Sequence, residues 1–404
     1  MKNTHVLIIG SGTAGPALSL FLKKAGISCA VYEAYPYTEG LGGGLSLAPN
    51  GMNVLDELGL AEKLKARGTV ALESCIRNET GRILARIDNG GKQYGQPAVA
   101  LRRSDLHEVL TQEMQQQGIA VAYEKRLTDI SFTNDNKNVI AHFADGGHVE
   151  GDILIGADGI HSQTRKIVLP ESPDPSYVGI IGIGGFVPLS AVPDLSDRDR
   201  HSLNFTFGHR GFFGYCGARP DELMWWSNLW REKELTKEEL NDLSIETVKQ
   251  EMLSIYCGYH EPIPRLIART GPPLQLNIYD ILGLPAWHQG RVAVIGDAAH
   301  AVSPSAGQGA SMALEDAMYL AKLLRELQGD HELAFELFER ERKPRVERVV
   351  AEGRRRSSSK KSVSPFESSL RNAMIAIFFH LFGERSQDWL YRYRIEWEER
   401  AAAA

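Results

Sequence analysis

Residues 5–33, "HVLIIGSGTAGPALSLFLKKAGISCAVYE", constrain this chain more than any other stretch. A continuous apolar run leads into Gly10, and Ala14, Leu18, Phe21, Leu22 and Ala25 then recur at helical spacing. "GISCAVYEA" supplies a second apolar strand. Strand, turn, helix and strand in this order are the unit of a parallel sheet covered by helices. The glycines stand as Gly10-x-Gly12-x-x-Gly15. Gly10 permits the tight turn, Gly12 lets backbone approach a pyrophosphate, and Gly15 lets the helix pack close on the strand. Thr13 and Ala14 then open a helix whose free N–H groups favour phosphate charge. Glu33 ends the second strand, 18 residues after Gly15, where a carboxylate can accept the ribose hydroxyls of an adenosine. A lone glycine triplet is weak evidence, but strand, helix and acid in register predict a dinucleotide site.

A second glycine loop, "GDAAHAVSPSAGQGASMALEDA", lies at 296–317. The apolar run "RVAVIG" before it predicts a buried strand with Asp297 at its carboxyl end, where open α/β sheets bind ligands. Gly307 and Gly309 flank the start of a further helix, beginning near Ala310. An NAD enzyme has no use for two such loops. FAD does, because its ribityl chain and isoalloxazine ring need anchors far from the adenosine end. Asp297 is the candidate for a ribityl or pyrophosphate-side hydroxyl. The helix N-terminus near Gly309 would aim N–H groups at the ring edge that gains negative charge on reduction. A third element, "ILIGADGIHSQTRK", sets Asp158 and Gly159 at another strand end. From the residues alone, Asp158 reads equally well as a helix cap.

The organisation is discontinuous. Residues 1–70, 98–175 and 271–360 carry the α/β pattern, and 71–97 with 176–270 are expected to form a second, substrate domain. Within the latter, "ESCIRNETGRILARID" predicts a hairpin, and "HSLNFTFG", "GFFGYCGA" and "ELMWWSNLW" alternate as aromatic strands of an antiparallel sheet. Residues 361–400 form a helical C-terminal segment, in which "AMIAIFFHLFG" reads as one buried helix face. The basic run "RRRSSSKKS" at 354–362 reads as a solvated helix end and turn.

Composition narrows the function. A net charge of −6 argues against a nucleic-acid partner. No apolar run reaches the roughly 18 residues that span a bilayer, so no stable membrane association is expected. Four scattered cysteines without a C-x-x-C pair fit a reducing, cytoplasmic setting and no metal site. The start of the chain does not read as a signal peptide. A monomer or homodimer is expected.

The three loops together resemble the class A FAD-dependent monooxygenases, the para-hydroxybenzoate hydroxylase-like family, near its tetracycline-inactivating, salicylate and 6-hydroxynicotinate hydroxylase members. The family's marks are an N-terminal G-x-G-x-x-G, a central DG and a GD before a G-Q-G loop. They stand here as Gly10/Gly12/Gly15, Asp158–Gly159 and Gly296–Asp297 with "AGQG" at 306–309. Further similarity lies in "LGGGLSLAPNGMNVLDELGL", where Gly44 passes beside the flavin ring, and in "LRRSDLHEVL", where Arg103 matches an FAD-contacting arginine. Leu127 falls where a backbone contact to the adenine side is usual. The resemblance implies a Rossmann-like FAD domain with an inserted, mostly antiparallel substrate sheet and a C-terminal helix. It also implies that Asp158 serves FAD and nicotinamide-nucleotide binding.

The implied activity hydroxylates a small aromatic or polyketide-like molecule. NADPH or NADH reduces the flavin, and O2 adds at flavin C4a to give the hydroperoxide that transfers OH. The flavin carries the chemistry, so no protein acid or base is assigned. Two family arginines are replaced by Ala34 and Leu41, which leaves the choice of NADPH or NADH open. The substrate is expected between flavin and aromatic sheet, with Phe205, Phe213, Tyr215, Trp226, Asn228, Pro304 and Ser305 as candidate contacts. His209 and His300 read as turn and loop residues rather than proton acceptors. Three alternatives are a flavin halogenase, whose W-x-W-x-I-P signature "MWWSNL" does not match, an isoprenoid-type flavin reductase, and a non-catalytic flavin-binding redox sensor.

Overall fold

The computed structural model describes residues 4–36, 42–90, 93–242, 244–328, 330–358, 360, 362–385 and 387–400, so Leu41 lies outside the described residues. The apolar run becomes strand His5–Ile9, with Val6, Leu7 and Ile8 fully buried. It sits centrally in a six-stranded sheet, between Ile153–Gly156 and Ser28–Tyr32. Val292–Val294 lies beyond Ile153–Gly156, and these neighbours are parallel. All three chemistry-bearing loops therefore leave the same, carboxyl-terminal edge of one sheet. Helices Ala14–Lys24 and Gly309–Glu326 pack on that sheet through apolar faces. A three-stranded antiparallel sheet, Leu127–Phe132, Val139–Phe143 and His148–Gly151, is attached beside it.

The aromatic segments form a separate seven-stranded sheet. It contains Glu73–Asn78 and Ile83–Asp88, the hairpin expected around Gly81, whose φ of +87° supplies the turn. Ser176–Pro188, Ser202–Phe207, Phe212–Arg219 and Glu222–Trp230 form its centre, and Leu274–Asp280 adds an edge strand beyond residue 270. One face packs on helices Ile245–Tyr256 and Ile263–Arg269. The other meets the first unit: a Cβ on Gly44 would fall 2.0 Å from Met224 Sδ.

Helix His331–Ser358 follows, and then helix Pro365–Phe382, closed at its start by a Ser364–Glu367 capping box. The expected burial of "AMIAIFFHLFG" is not what the structure shows. Met374, Ile377, Phe378, Leu381 and Phe382 are 45–63% exposed, and Ser368 is the buried residue of this helix. Ile375, Ala376 and Phe379 are half-buried, and Arg371 adds a polar tie by donating to the Gly208 carbonyl at 2.9 Å. No described helix is long and apolar enough to cross a membrane.

Candidate active site

The glycine loop is built by close approach. Gly10 has φ +104°, and a Cβ there would lie 2.4 Å from the Ala157 carbonyl, so the first loop abuts the DG loop. A Cβ on Gly15 would lie 2.0 Å from the Gly10 carbonyl. Gly12 differs, because nothing lies within 4 Å of its Cβ position. Its backbone faces space that no protein atom fills, as a pyrophosphate cradle requires. Thr13 and Ala14 begin the helix beside it.

Glu33 lies next to that cradle. It accepts the Ser11 N–H at 2.7 Å and the Tyr35 N–H at 2.9 Å, which orients the carboxylate and leaves acceptor capacity for a ribose. Lys125 N–H donates to the Glu33 carbonyl at 2.7 Å, which brings the buried Leu127 segment to the adenosine end. Helix Arg103–Gln116 is tied to the same loop by His107 Nε2, 2.8 Å from the Ser11 carbonyl. Arg103 starts this helix beside Gly42, exposed and without an acidic partner among the described residues.

Of the two roles the sequence left open for Asp158, the structure shows the helix cap. Its carboxylate accepts the Thr164 N–H at 2.9 Å and hydroxyl at 3.0 Å, capping the short helix Gln163–Val168, and it stays half-buried at the strand end. Arg165, 1% exposed, donates to the Ile160 carbonyl at 2.8 Å and the Ala298 carbonyl at 2.7 Å, which clamps the DG loop to the GD loop. Burial pushes its pKa down, against the pull of Asp158.

Gly296 has φ +58° and packs between two helices, with Ala14 and Ala313 at 3.1 and 3.3 Å from a Cβ there. Asp297 follows, half-buried, and its carboxylate has no hydrogen-bond partner among the described residues. Its oxygens are therefore open to an outside donor such as a ribityl hydroxyl. Gly307 takes a left-handed φ of +62°, and Gly309 and Ala310 begin an 18-residue helix with partly exposed first residues. The residues present thus fit FAD along its length.

Beneath the GD loop is an ionic cluster that sequence reasoning missed. Asp316, wholly buried, accepts the Gly296 N–H at 3.0 Å, His300 Nε2 at 2.5 Å and Arg342 Nε at 2.8 Å. Glu315 accepts Arg342, Arg345 and Asn50, and Asn50 also donates to Gln308 at 3.0 Å. Burial pushes the Asp316 pKa up, but His300 and Arg342 outweigh it and hold the carboxyl below its ordinary value. His300 thus shapes the loop, as the sequence suggested. These pairings span up to 265 residues, so no local spacing could have disclosed them.

Strand register sorts the substrate candidates. Phe205 pairs with Gly214, Gly214 with Trp226, and Phe212 with Asn228, so Phe205, Phe212, Trp226 and Asn228 share the face turned to the loops. Asn228 reaches Ser305 Oγ at 3.5 Å, joining sheet and GD loop, and Pro304 is exposed beside it. Phe213 and Tyr215, expected beside the substrate, point the opposite way. They are 0% and 1% exposed, and Phe213 stacks on Trp225 over the helices of the far side. A single residue's shift along a strand reverses the face, which is why the two were misplaced. His209 is engaged by Glu79 at 2.7 Å, turn against turn.

Comparison with known proteins agrees with this geometry. The model of a family described as "FAD binding domain" matches residues 3–353. The chain is 32% identical over 365 residues to 6-hydroxynicotinate 3-monooxygenase of Pseudomonas fluorescens, covering 86% of this chain and 90% of that protein. It is 30% identical to 3-amino-4-hydroxybenzoate 2-monooxygenase of Streptomyces cremeus, covering 88% and 87%. In fold it is similar to Klebsiella pneumoniae HpxO solved with FAD and uric acid, with a TM-score of 0.81, 24% identity and 93% of each chain covered.

Proposed function

The chain belongs to the FAD-binding-domain family of class A flavoprotein monooxygenases, and from that premise we propose that it hydroxylates a small, electron-rich aromatic or heteroaromatic ring held between the GD loop and the aromatic sheet. The carrying observation is the convergence of three loops at one sheet edge, opposite Phe205, Trp226 and Asn228. Similar proteins named for hydroxynicotinate and aminohydroxybenzoate support a ring of that size.

Bound FAD supplies the electron transfer from NADPH or NADH and the activation of O2. The chain's own residues supply position. Gly12, Thr13 and Ala14 offer N–H groups to the pyrophosphate, Glu33 takes the ribose, and Arg103 offers a guanidinium to a phosphate. Asp297 accepts from the ribityl chain, while the Gly309 helix end faces negative charge with its dipole. The buried Asp316–Arg342 cluster holds Gly296 and the Gly309 helix at fixed separation, so the ring edge meets preset donors. Aromatic side chains on the facing sheet keep water from the cleft.

FAD-loaded protein tests this. It should oxidise NADPH or NADH in the presence of O2, and faster with a hydroxylated aromatic ligand. A preparation that takes up no FAD, or whose oxidation no aromatic ligand stimulates, contradicts the reading.

A further inference from the structure

Lys360 follows helix His331–Ser358 in the run that reads, from sequence, as a solvated basic turn. Its basic neighbours in the described structure are paired: Arg354 is bidentate to Asp280, and Arg355 and Arg356 reach Glu352. Lys360 has no acidic partner among the described residues. Nζ sits 3.2 Å from Ser305 Oγ and 4.1 Å from the centre of the Phe212 ring. Those are the GD loop and the sheet face already assigned to the substrate cleft.

The hydroxyl it meets is set up by its donors. Ser305 is 9% exposed, and its oxygen accepts from Lys360 and, at 3.5 Å, from Asn228 Nδ2. Two donors occupy the oxygen's lone pairs, so its proton can only be given away. No acceptor for that proton exists among the described residues. An unpaired ammonium beside a hydroxyl with a spare proton is a site built for a negatively charged oxygen.

We propose that Lys360 and Ser305, with Asn228 behind them, form an oxyanion subsite that holds a ring carboxylate or phenolate oxygen of the substrate against Phe212. The subsite rests on the monooxygenase reading for its place beside the flavin, but its ligand chemistry comes from these side chains alone. Its electrostatics agree. Half-buried Lys360 has its pKa pushed down to about 7, first by desolvation and then by Arg356. The groups facing it are Ser305 of the loop and Phe212 of the sheet, with Arg356 of the preceding helix close enough to act on it electrostatically. Arg356 already has Glu352 as its countercharge, so a bound anion would supply the one that Lys360 lacks. Gly353 keeps the helix close enough for this contact, since a Cβ there would lie 3.2 Å from Ala306 Cβ.

The test compares 6-hydroxynicotinate with 2-hydroxypyridine, the same ring without its carboxylate, in wild-type, Lys360→Met and Lys360→Arg proteins. Binding is read by tryptophan fluorescence, which Trp226 makes sensitive to the cleft with or without flavin, and FAD uptake is measured on the same samples. The wild type should bind the acid more tightly than the neutral ring. Lys360→Met should weaken acid binding about 10- to 100-fold and the neutral ring less than about threefold, and Lys360→Arg should restore part of the loss. FAD uptake should stay unchanged. Equal binding of both rings by the wild type, or a preference that survives in Lys360→Met, overturns the subsite. Failure of the wild type to take up FAD would instead strike the monooxygenase reading.

Discussion

Gly12→Ala and Gly10→Ala should fail in opposite ways, and the difference can be worked from the glycine loop. At Gly10 the backbone is left-handed and an added Cβ lands 2.4 Å from the Ala157 carbonyl. Left-handed strain costs about 1–2 kcal/mol, and overpacking adds about 1–3 kcal/mol. Gly10→Ala should therefore lose about 2–5 kcal/mol of folding stability even without cofactor. Gly12 has no left-handed φ, and its Cβ position is clear to 4 Å. Alanine there should leave the apoprotein unchanged or up to about 1 kcal/mol more stable, through the unfolded chain's lost freedom. The same methyl would stand where a pyrophosphate must approach. Forfeiting a charge-assisted hydrogen bond of about 1.5–3 kcal/mol lowers FAD affinity about 10- to 100-fold. Urea unfolding of flavin-stripped protein gives the first quantity, and quenching of free flavin fluorescence gives the second. If Gly12→Ala unfolds as readily as Gly10→Ala, or binds FAD as tightly as wild type, the space above Gly12 is not a phosphate site.

Further outcomes follow from the same geometry. Asp297→Ala removes a carboxylate that no donor among the described residues satisfies, so flavin retention should fall about 10-fold or more while the melting temperature of the apoprotein holds; retained flavin contradicts the ribityl assignment. Asp316→Asn leaves Arg342 without half of its countercharge and should cost about 3–5 kcal/mol in urea unfolding. The folded pKa of Asp316 is lowered, so its contribution is complete above the ordinary carboxylate range and is lost as pH falls through the folded value. The variant should accordingly show a flatter loss of stability below about pH 4 than wild type. Tyr215→Phe should leave the KM for an aromatic substrate within about twofold, because that ring faces away from the cleft, whereas Trp226→Ala should raise it by about tenfold or more.

What the sequence discloses depends on how local the determinant is. The placement of Gly10, Gly12, Gly15, Glu33 and Asp297 was legible because each position is fixed by its distance from one strand end. The parallel sheet was legible for the same reason. The aromatic strands were visible as strands, but Phe213 and Tyr215 lie on the far face, since aromatics on both faces along 212–215 do not say which face meets the loops. The helix at 365–382 misled differently: its apolar content implied a buried face, and Met374, Ile377, Phe378, Leu381 and Phe382 are exposed instead. Asp316, Arg342 and Lys360 owe their roles to partners distant in sequence, and a charged residue in a helical run reads as solvated until its partner is in place.

The most direct measurement uses labelled dioxygen. FAD-loaded enzyme supplied with NADPH or NADH, a hydroxylated aromatic acid and 18O2 should yield product carrying one labelled oxygen, with the second appearing in water. Product oxidised without label, or nicotinamide oxidation that never transfers oxygen to any ring tried, would contradict the assignment of this cleft as a hydroxylase site.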